Sequence, residues 1–555
     1  MSNTWDRNPC DAPWGPGFRG GQPRKLIPLT SVCQRWRRIL LDTPLLWSTI
    51  EEKGYKGVPD FTHYVHRCPR GSLSVRIHSR LHDITRELLA RHGERVQDLH
   101  IIDSVFGDGG GELLFGLVPS FRAEDLRRCR LLLHNRQYTG PPFQTFFHDG
   151  RAPQLRQMWL ESFPYLPSNK FPALTHLVIE CPKRASFSFQ DLQTFLSGCP
   201  DLQVLHLKNM TGSGVQAPGT EPAAPNSLHL RHLRKLSIVD KLQLRRSPTW
   251  DQTARFVAGR GAIQLALLSS IALPSQCLIY LSHISSIDLK SLADRMSTLV
   301  QPSSMRIVDA LQDDCSPRKS GRISLVLLQP SASRGVRFDV QYRRCNEDEE
   351  AVKKNMYRAI AASPLFADVR ELWADAGSAD FLRWPNSIFG SLPRLTYLSI
   401  RHETDTPYQL NYVLEALREV LAGGELVCPE LDTLVLTINA VYLIGQVRDL
   451  VLRRKNLGRP LTRLWLWLDL GKANEAARVE ARALTGLVEH FILFDCLENA
   501  GEEYYEGEDG DGDGDGEDAP ESGWVRSWDE RVPEDCGVED EIKDHWPIWV
   551  ERGLD

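Results

Sequence analysis

Residues 199–207 read CPDLQVLHL, and their pattern recurs along much of the chain. Leu205 and Leu207 are two positions apart, so both point to the same side of a β-strand. Leu202 lies three positions upstream, after a proline that ends the preceding turn, and it turns in from the loop toward that side. The stretch therefore predicts a short strand with one apolar edge, which a stacked neighbour must bury.

We call the Leu-x-x-Leu-x-Leu pattern of this stretch the strand motif. It occurs ten times, at Val96/Leu99/Ile101, Leu126/Cys129/Leu131, Leu155/Met158/Leu160, Leu174/Leu177/Ile179, Leu202/Leu205/Leu207, Leu233/Leu236/Ile238, Val369/Leu372/Ala374, Leu395/Leu398/Ile400, Leu431/Leu434/Leu436 and Leu461/Leu464/Leu466. The first six motifs begin 30, 29, 19, 28 and 31 residues apart, and the last four begin 26, 36 and 30 apart. A period near 28 is typical of leucine-rich repeats. The sequence predicts an α/β fold, a curved solenoid of irregular leucine-rich repeats.

The segments between motifs predict helices and turns. Amphipathic helices are expected at 189–196 and 412–421, and Cys-Pro pairs precede the motifs at Leu202 and Leu431, where a small buried cysteine suits the corner. The motif loses its register between about 240 and 365, where degenerate repeats or a small insertion are expected. A strand is predicted there at 278–281, with two alternating strands at 323–327 and 336–342 around a turn at 331–335. A helix at 473–496 is expected to cover the solenoid end.

Composition places the chain among ordinary globular proteins. It has 555 residues, 42% hydrophobic and 25% charged, and no run approaches the ~18 apolar residues of a membrane helix. Its twelve cysteines include no Cys-x-x-Cys pair, which indicates reduced thiols and a cytoplasmic or nuclear location.

The net charge of −6 conceals a charge asymmetry. Glu498 to Glu521 holds twelve acidic residues and no lysine or arginine, so the remainder carries 66 basic against 60 acidic residues, or +6. Residues 498–523 are predicted to be disordered and self-repelling. Residues 524–555 contain four tryptophans; docking on the body is favoured, and a short linear binding motif is the alternative.

Residues 29–47 read LTSVCQRWRRILLDTPLLW and predict an amphipathic helix. The apolar residues fall on one helical face, the arginines take the other, and Pro44 stops the helix before an apolar plug. The face consists of Leu29, Val32, Cys33, Trp36, Ile39 and Leu40. On period alone, such a stripe belongs to an ordinary core helix.

The residue types in this stretch are more specific than its period. Val32-Cys33-Gln34-Arg35-Trp36-Arg37 followed by Thr43-Pro44-Leu45-Leu46-Trp47 resembles the second half of an F-box. The resemblance covers residues 26–50. Residues 1–25 hold four prolines and four glycines, so they predict disorder and not the first F-box helix. Together with repeats at 51–497, the pattern is similar to F-box proteins with leucine-rich-repeat bodies, above all the large fungal families.

This resemblance implies a substrate-recognition subunit of an SCF-type (cullin-RING) ubiquitin ligase. The F-box-like segment would bind a Skp1-type adaptor, and the repeats would bind a protein target. The implied adaptor-side residues are Val32, Cys33, Trp36, Pro44, Leu46 and Trp47. Strand positions such as Gln203, His206, Arg234, Arg394 and Thr433 are expected to face the concave surface that the repeats present to the target, and the sequence identifies none of them as a target contact.

Two alternatives stay open at this point. Val32, Trp36 and Trp47 could serve only to pack the segment against the first repeat. The chain could also be a leucine-rich-repeat scaffold outside any ligase, whose acidic tail binds basic partners electrostatically.

The sequence offers no catalytic or cofactor motif. It lacks a Walker A loop, an H-E-x-x-H zinc motif and a G-x-S-x-G elbow, so an enzyme is not indicated. The acidic tract lacks the bidentate glutamate of a calcium loop, and the histidine pairs lack a third ligand, so no metal is expected. Short basic runs without interleaved aromatics do not indicate nucleic-acid binding. The expected partners are proteins, with no membrane.

Overall fold

The computed structural model describes residues 31–52, 65–78, 83–103, 118, 121–133, 145–163, 165–181, 187–210, 228–239, 260–274, 276–284, 288–312, 320–329, 335–343, 354–356, 358–375, 388–401, 408–420, 424–438, 440–468 and 475–495. These described residues divide into two compact units, with the boundary between Leu202 and Gln203. Each unit is built on a mostly parallel sheet, which confirms the predicted mixed α/β class.

The first unit contains six parallel strands. They are β1 (Thr49–Glu52), β2 (Leu73–His78), β3 (Val96–Asp103), β4 (Arg128–Leu133), β5 (Gln157–Glu161) and β6 (His176–Glu180). The pairings β1–β2, β2–β3, β3–β4, β4–β5 and β5–β6 join strands that are consecutive in sequence. The helices are α1 (Gln34–Leu41), α2 (Asp83–His92) and α3 (Phe189–Ser197), with 3₁₀ turns at Pro44–Trp47, Gly93–Arg95 and His148–Gly150.

The second unit contains a longer sheet. Its strands are β7 (Val204–Lys208), β8 (Leu228–His229), β9 (Lys235–Val239), β10 (Ile271–Ala272), β11 (Leu278–Ile284), β12 (Ser304–Gln312), β13 (Ser320–Leu328), β14 (Gly335–Arg343), β15 (Glu371–Asp375), β16 (Tyr397–Arg401), β17 (Thr433–Ile438), β18 (Arg463–Leu468) and β19 (His490–Asp495). The spatial order is β7-β9-β11-β14-β13-β12-β15-β16-β17-β18-β19. Among the described strands of this sheet, β13 is the one that runs antiparallel to its neighbours, and β8 pairs separately with β10.

Five helices and three 3₁₀ turns with defined bounds complete the second unit among the described residues, together with helical residues 354–356 and 358–362. They are α4 (Arg260–Ser270), α5 (Leu289–Ser297), α6 (Tyr408–Arg418), α7 (Val441–Asn456) and α8 (Glu475–Arg482), with turns at Pro364–Phe366, Ile388–Ser391 and Ala483–Gly486. α4 packs against α5, and α7 packs against both α6 and β17.

The strand motifs form the core on one face of each sheet. All thirty of their apolar positions are at most 3% exposed, which confirms that the motif marks buried strands. In nine of the ten, the amide of the first motif residue donates to the carbonyl three residues upstream, as Leu202 does to Cys199. These nine motifs therefore follow the same kind of backbone turn.

A spine of phenylalanines runs through the first unit. Phe121, Phe147, Phe171 and Phe195 follow one another with ring centroids 6.2, 6.3 and 6.1 Å apart. Tilted and edge-on packing at this distance is favourable for aromatic pairs. These four buried rings form a second row of apolar side chains in the core of the first unit.

The predicted helices between motifs are present. α3 spans Phe189–Ser197, and Ser188 and Asp191 form a capping box at its start. α6 begins at Tyr408 and ends at Arg418, three residues before the predicted end, because Val420 bridges to Leu426 in an antiparallel turn. The predicted burial of the corner cysteines is also confirmed, since Cys199 and Cys428 are at most 1% exposed.

The region between about 240 and 365, where the strand motif loses its register, contains an antiparallel insertion. The two alternating strands predicted there are β13 and β14, and β12 completes a three-stranded antiparallel group with them. The strand predicted at 278–281 is β11, which extends to Ile284.

The prediction of one helix over 473–496 is wrong. Helix α8 ends at Arg482, and His490–Asp495 forms β19, parallel to β18. Aromatic and β-branched residues dominate this strand, and pairing with β18 satisfies its backbone on one side. A short apolar run cannot be assigned to helix or strand by period alone.

Several predictions lie outside the described residues. They concern residues 1–25, the acidic tract 498–523 and the tryptophan-containing segment 524–555. Within the ranges given above, no helix is long and apolar enough to cross a bilayer.

Candidate functional site

Helix α1 begins at a cysteine cap. Cys33 has an extended backbone (φ −158°, ψ 166°), and its Sγ accepts a hydrogen bond from the Trp36 amide at 3.4 Å. The helix therefore starts at Gln34, later than the sequence pattern predicts, and Val32 and Cys33 precede it. Leu29 lies outside the described residues.

The end of α1 is fixed by two hydrogen bonds. The Asp42 amide donates to the Arg38 carbonyl at 2.8 Å, and the Thr43 hydroxyl donates to the Ile39 carbonyl at 2.7 Å. Pro44 then opens the 3₁₀ turn, where a missing amide hydrogen is tolerated. The prediction that the helix ends before Pro44 is confirmed.

Trp47 anchors this segment to the first unit. Its ring is fully buried, and its indole Nε1 donates to the Leu40 carbonyl at 2.7 Å. The Arg67 guanidinium lies 4.3 Å from the centre of the ring. Because β1 begins two residues later, Trp47 connects α1 directly to the sheet.

The apolar face of α1 is exposed. Val32 is 63%, Trp36 50% and Ile39 46% exposed, whereas Leu40 is buried. A helix turns by about 100° per residue, so Trp36 and Ile39 share one face. The interpretation of this stripe as an ordinary core helix is therefore wrong for these residues. Adjacent exposed apolar side chains are characteristic of interaction sites.

Arginines border this apolar face. Arg35 and Arg38 lie three residues apart on one side of α1, and both are exposed. We call the group of Val32, Arg35, Trp36, Arg38 and Ile39 the α1 surface. It combines exposed apolar area with two cationic side chains.

The structure separates the six predicted adaptor-side residues into two groups. Val32, Cys33 and Trp36 are exposed together at the start of α1. Pro44 is exposed, Leu46 is half-buried, and Trp47 is buried as a packing residue. Ile39 was not among the six, although its position three residues after Trp36 indicates the same face.

The sheet of the first unit carries many charged side chains on the face opposite its apolar core. Arg128 makes a bidentate ion pair with Asp98, with Nε–Oδ1 and Nη2–Oδ2 distances of 2.5 and 2.7 Å. Arg130 pairs with Glu161 at 3.1 Å, and its guanidinium lies 3.8 Å from the Trp159 ring centre. These paired side chains form a polar surface without excess charge.

The predicted concave positions of the second unit differ in accessibility. Arg234 is exposed and Gln203 is half-buried. His206 and Thr433 are only 1% and 2% exposed, so neither side chain is accessible to a target. Arg394 is exposed, but it lies in the turn before β16 and pairs with Asp368 at 2.8 Å.

Aromatic side chains lie on four of the last five strands, β15, β16, β18 and β19, on the sheet face opposite the core. The ring centres of Trp373 and Tyr397 are 4.8 Å apart, and Trp467 stacks on Phe494 at 4.2 Å. Ile492 on β19 is 40% exposed. We call this group the aromatic strip, formed by Trp373, Tyr397, Trp465, Trp467, Ile492 and Phe494.

The reactivity of the cysteines gives a direct test of whether the start of α1 is exposed to solvent. Of the seven described cysteines, Cys33 is exposed and the others are buried. Burial raises the pKa of Cys199 and of Cys428 to about 12, so both stay protonated near neutrality. We expect Cys33 to react with a maleimide at pH 7.5 at least ~100-fold faster than these two, because thiolate and access are both required. Peptide mass spectrometry of the time course measures this, and equal rates would contradict the exposure of α1.

Metal binding has no support in the described residues, where no group of three or more His, Cys, Asp or Glu side chains could hold an ion. Comparison of the chain with protein-family models and with curated proteins finds no match. The geometry and the sequence motifs therefore carry the functional proposal.

Proposed function

We propose that this chain is a substrate-recognition subunit of an SCF-type ubiquitin ligase, with α1 binding a Skp1-type adaptor. The observation that carries the proposal is the exposure of Val32, Trp36 and Ile39, which lie within the F-box-like motif. A helix that presents apolar side chains to solvent is suited to dock in a partner's groove. Trp47 keeps α1 attached to the sheet while that face stays accessible.

The body of this receptor would be a leucine-rich-repeat solenoid that binds the target. The buried strand motifs, their period and the in-register parallel strands support this assignment. The aromatic strip is the preferred target surface in the second unit, since aromatic side chains dominate binding hot spots. Its half-buried rings are already held by neighbouring strands.

The test is binding of the full chain to purified Skp1 adaptor. We expect Trp36→Ala to weaken binding at least ~10-fold, because a central tryptophan commonly contributes 2 kcal/mol or more to an interface. Titration calorimetry or interferometry with the immobilised adaptor measures the dissociation constant.

Tyr442→Ala is the matched control, since Tyr442 on α7 is 48% exposed and lies outside the motif. Its affinity should equal that of the unchanged chain. Absence of adaptor binding at micromolar concentration would overturn the proposal. Retained binding of a basic partner that depends on residues 498–521 would then favour the non-ligase scaffold.

A further inference from the structure

We propose that the α1 surface is the docking site for residues 539–550 of the same chain. These residues read EDEIKDHWPIWV and lie beyond the last described residue, Asp495. The docked segment would cover Trp36 and Ile39 and so compete with the adaptor. This competition rests on the proposed function, whereas the docking itself does not.

The first argument is charge complementarity. Arg35 and Arg38 border the apolar face of α1, and both are exposed. Residues 539–544 contain four carboxylates and one lysine. Carboxylates placed beside two guanidinium groups can accept charge-assisted hydrogen bonds, and each guanidinium can donate two parallel bonds to one carboxylate. The two surfaces are therefore electrostatically matched.

The second argument is apolar complementarity. Trp546, Ile548 and Trp549 directly follow the acidic residues of 539–544. On α1 the exposed Trp36 and Ile39 likewise lie directly beside the arginines. One contact can therefore bury both apolar groups while pairing the charges. Removing large apolar side chains from water contributes about 1.5–3 kcal/mol for each one fully buried.

Chain length permits this contact. Residues 496–538 connect the last described residue to the docking segment, and 43 extended residues reach about 140 Å. Tethering converts the contact into an intramolecular one with an effective concentration on the order of millimolar. A weak intrinsic affinity is therefore sufficient to occupy the α1 surface for much of the time.

Two cysteines make the contact measurable in the full chain. Cys33 caps α1 and is exposed, and Cys536 lies three residues before Glu539. Cys10, Cys315, Cys345 and Cys496 are replaced by serine, because they lie outside the described residues. A short bis-maleimide should then join Cys33 to Cys536 within one chain. Mass spectrometry of the monomer band identifies the cross-linked peptides.

We expect Arg35→Glu/Arg38→Glu to reduce the cross-link yield about fivefold at low salt. Trp546→Ser/Trp549→Ser should reduce it similarly, and ~0.5 M NaCl should weaken the ionic part. The matched control is Arg453→Glu/Lys455→Glu, which makes the same charge change on exposed positions of α7 and should leave the yield unchanged.

Three outcomes would overturn the docking proposal. They are a yield insensitive to both double substitutions, an equal loss in the α7 control, and a cross-link found only between two chains. The last outcome would replace it with an interface between copies.

The adaptor is used only in a separate assay. If the adaptor binds, Trp546→Ser/Trp549→Ser should tighten its binding several-fold, since the competitor is lost. Unchanged affinity would overturn the competition. Absence of adaptor binding would overturn the proposed function while the cross-link result stands on its own.

Discussion

Replacing Arg454 by alanine is expected to lower the free energy of unfolding of the second unit by about 3 kcal/mol. Arg454 on α7 is fully buried, and its guanidinium donates to the carbonyls of Val427, Cys428 and Leu431 at 3.3, 2.9 and 3.4 Å. Alanine would leave these carbonyls without that donor and open a cavity beside them. Burial lowers the pKa of Arg454, because desolvation disfavours its charged form. The three hydrogen bonds to carbonyls partly replace the lost hydration of the guanidinium.

The turn that Arg454 stabilises is itself strained. Cys428 adopts a positive φ of 51°, which is uncommon for a residue other than glycine.

Chemical denaturation in urea, followed by circular dichroism, measures the free energy of unfolding that Arg454→Ala removes. Arg453→Ala is the matched control, because its exposed side chain lies one position away on the same helix turn. A loss below about 1 kcal/mol for Arg454→Ala would contradict the role assigned to these hydrogen bonds.

Replacing Trp47 by alanine is expected to destabilise the attachment of α1 by about 4 kcal/mol. The substitution removes a fully buried ring, its hydrogen bond to Leu40 and its contact with Arg67. Hydrogen exchange of the amides in residues 34–47 measures this directly, since a detached helix loses its protection. Adaptor binding should fall as well, because the α1 surface is then no longer held in one position.

Trp36→Ala is the control for Trp47→Ala. Trp36 is half-exposed, so its removal should change stability by no more than about 0.5 kcal/mol. The two substitutions therefore have different expected results. Trp47→Ala should lower both stability and adaptor binding, whereas Trp36→Ala should lower adaptor binding alone. Equal destabilisation by both would mean that α1 packs through Trp36 as well.

Strand positions were predictable wherever buried residues recur in a fixed pattern. The core needs an apolar side chain at the same places in each parallel strand, so the motif repeats. β2 was missed, although Cys68-Pro69 precedes Leu73, as Cys199-Pro200 precedes Leu202. Cys68 is fully buried, and this turn pattern was the available signal.

Accessibility was less predictable than strand position. Alternation along a strand fixes the side to which a residue points, but not how far its neighbours cover it. His206 and Thr433 are therefore buried despite their alternation out of the core row. The same limit applies to α1, where periodicity identifies an apolar face but not whether that face meets the protein or the solvent.

The antiparallel insertion leaves the strand direction of the second unit unchanged. β14 runs parallel to β11, and β12 runs parallel to β15, so the hairpin of β13 and β14 sits between two strands that already point the same way. A chain without that hairpin could pair β12 directly with β11 in the same direction. The hairpin is thus a spacer that widens the sheet by two strands, about 10 Å, and sets how far apart its two flanks lie.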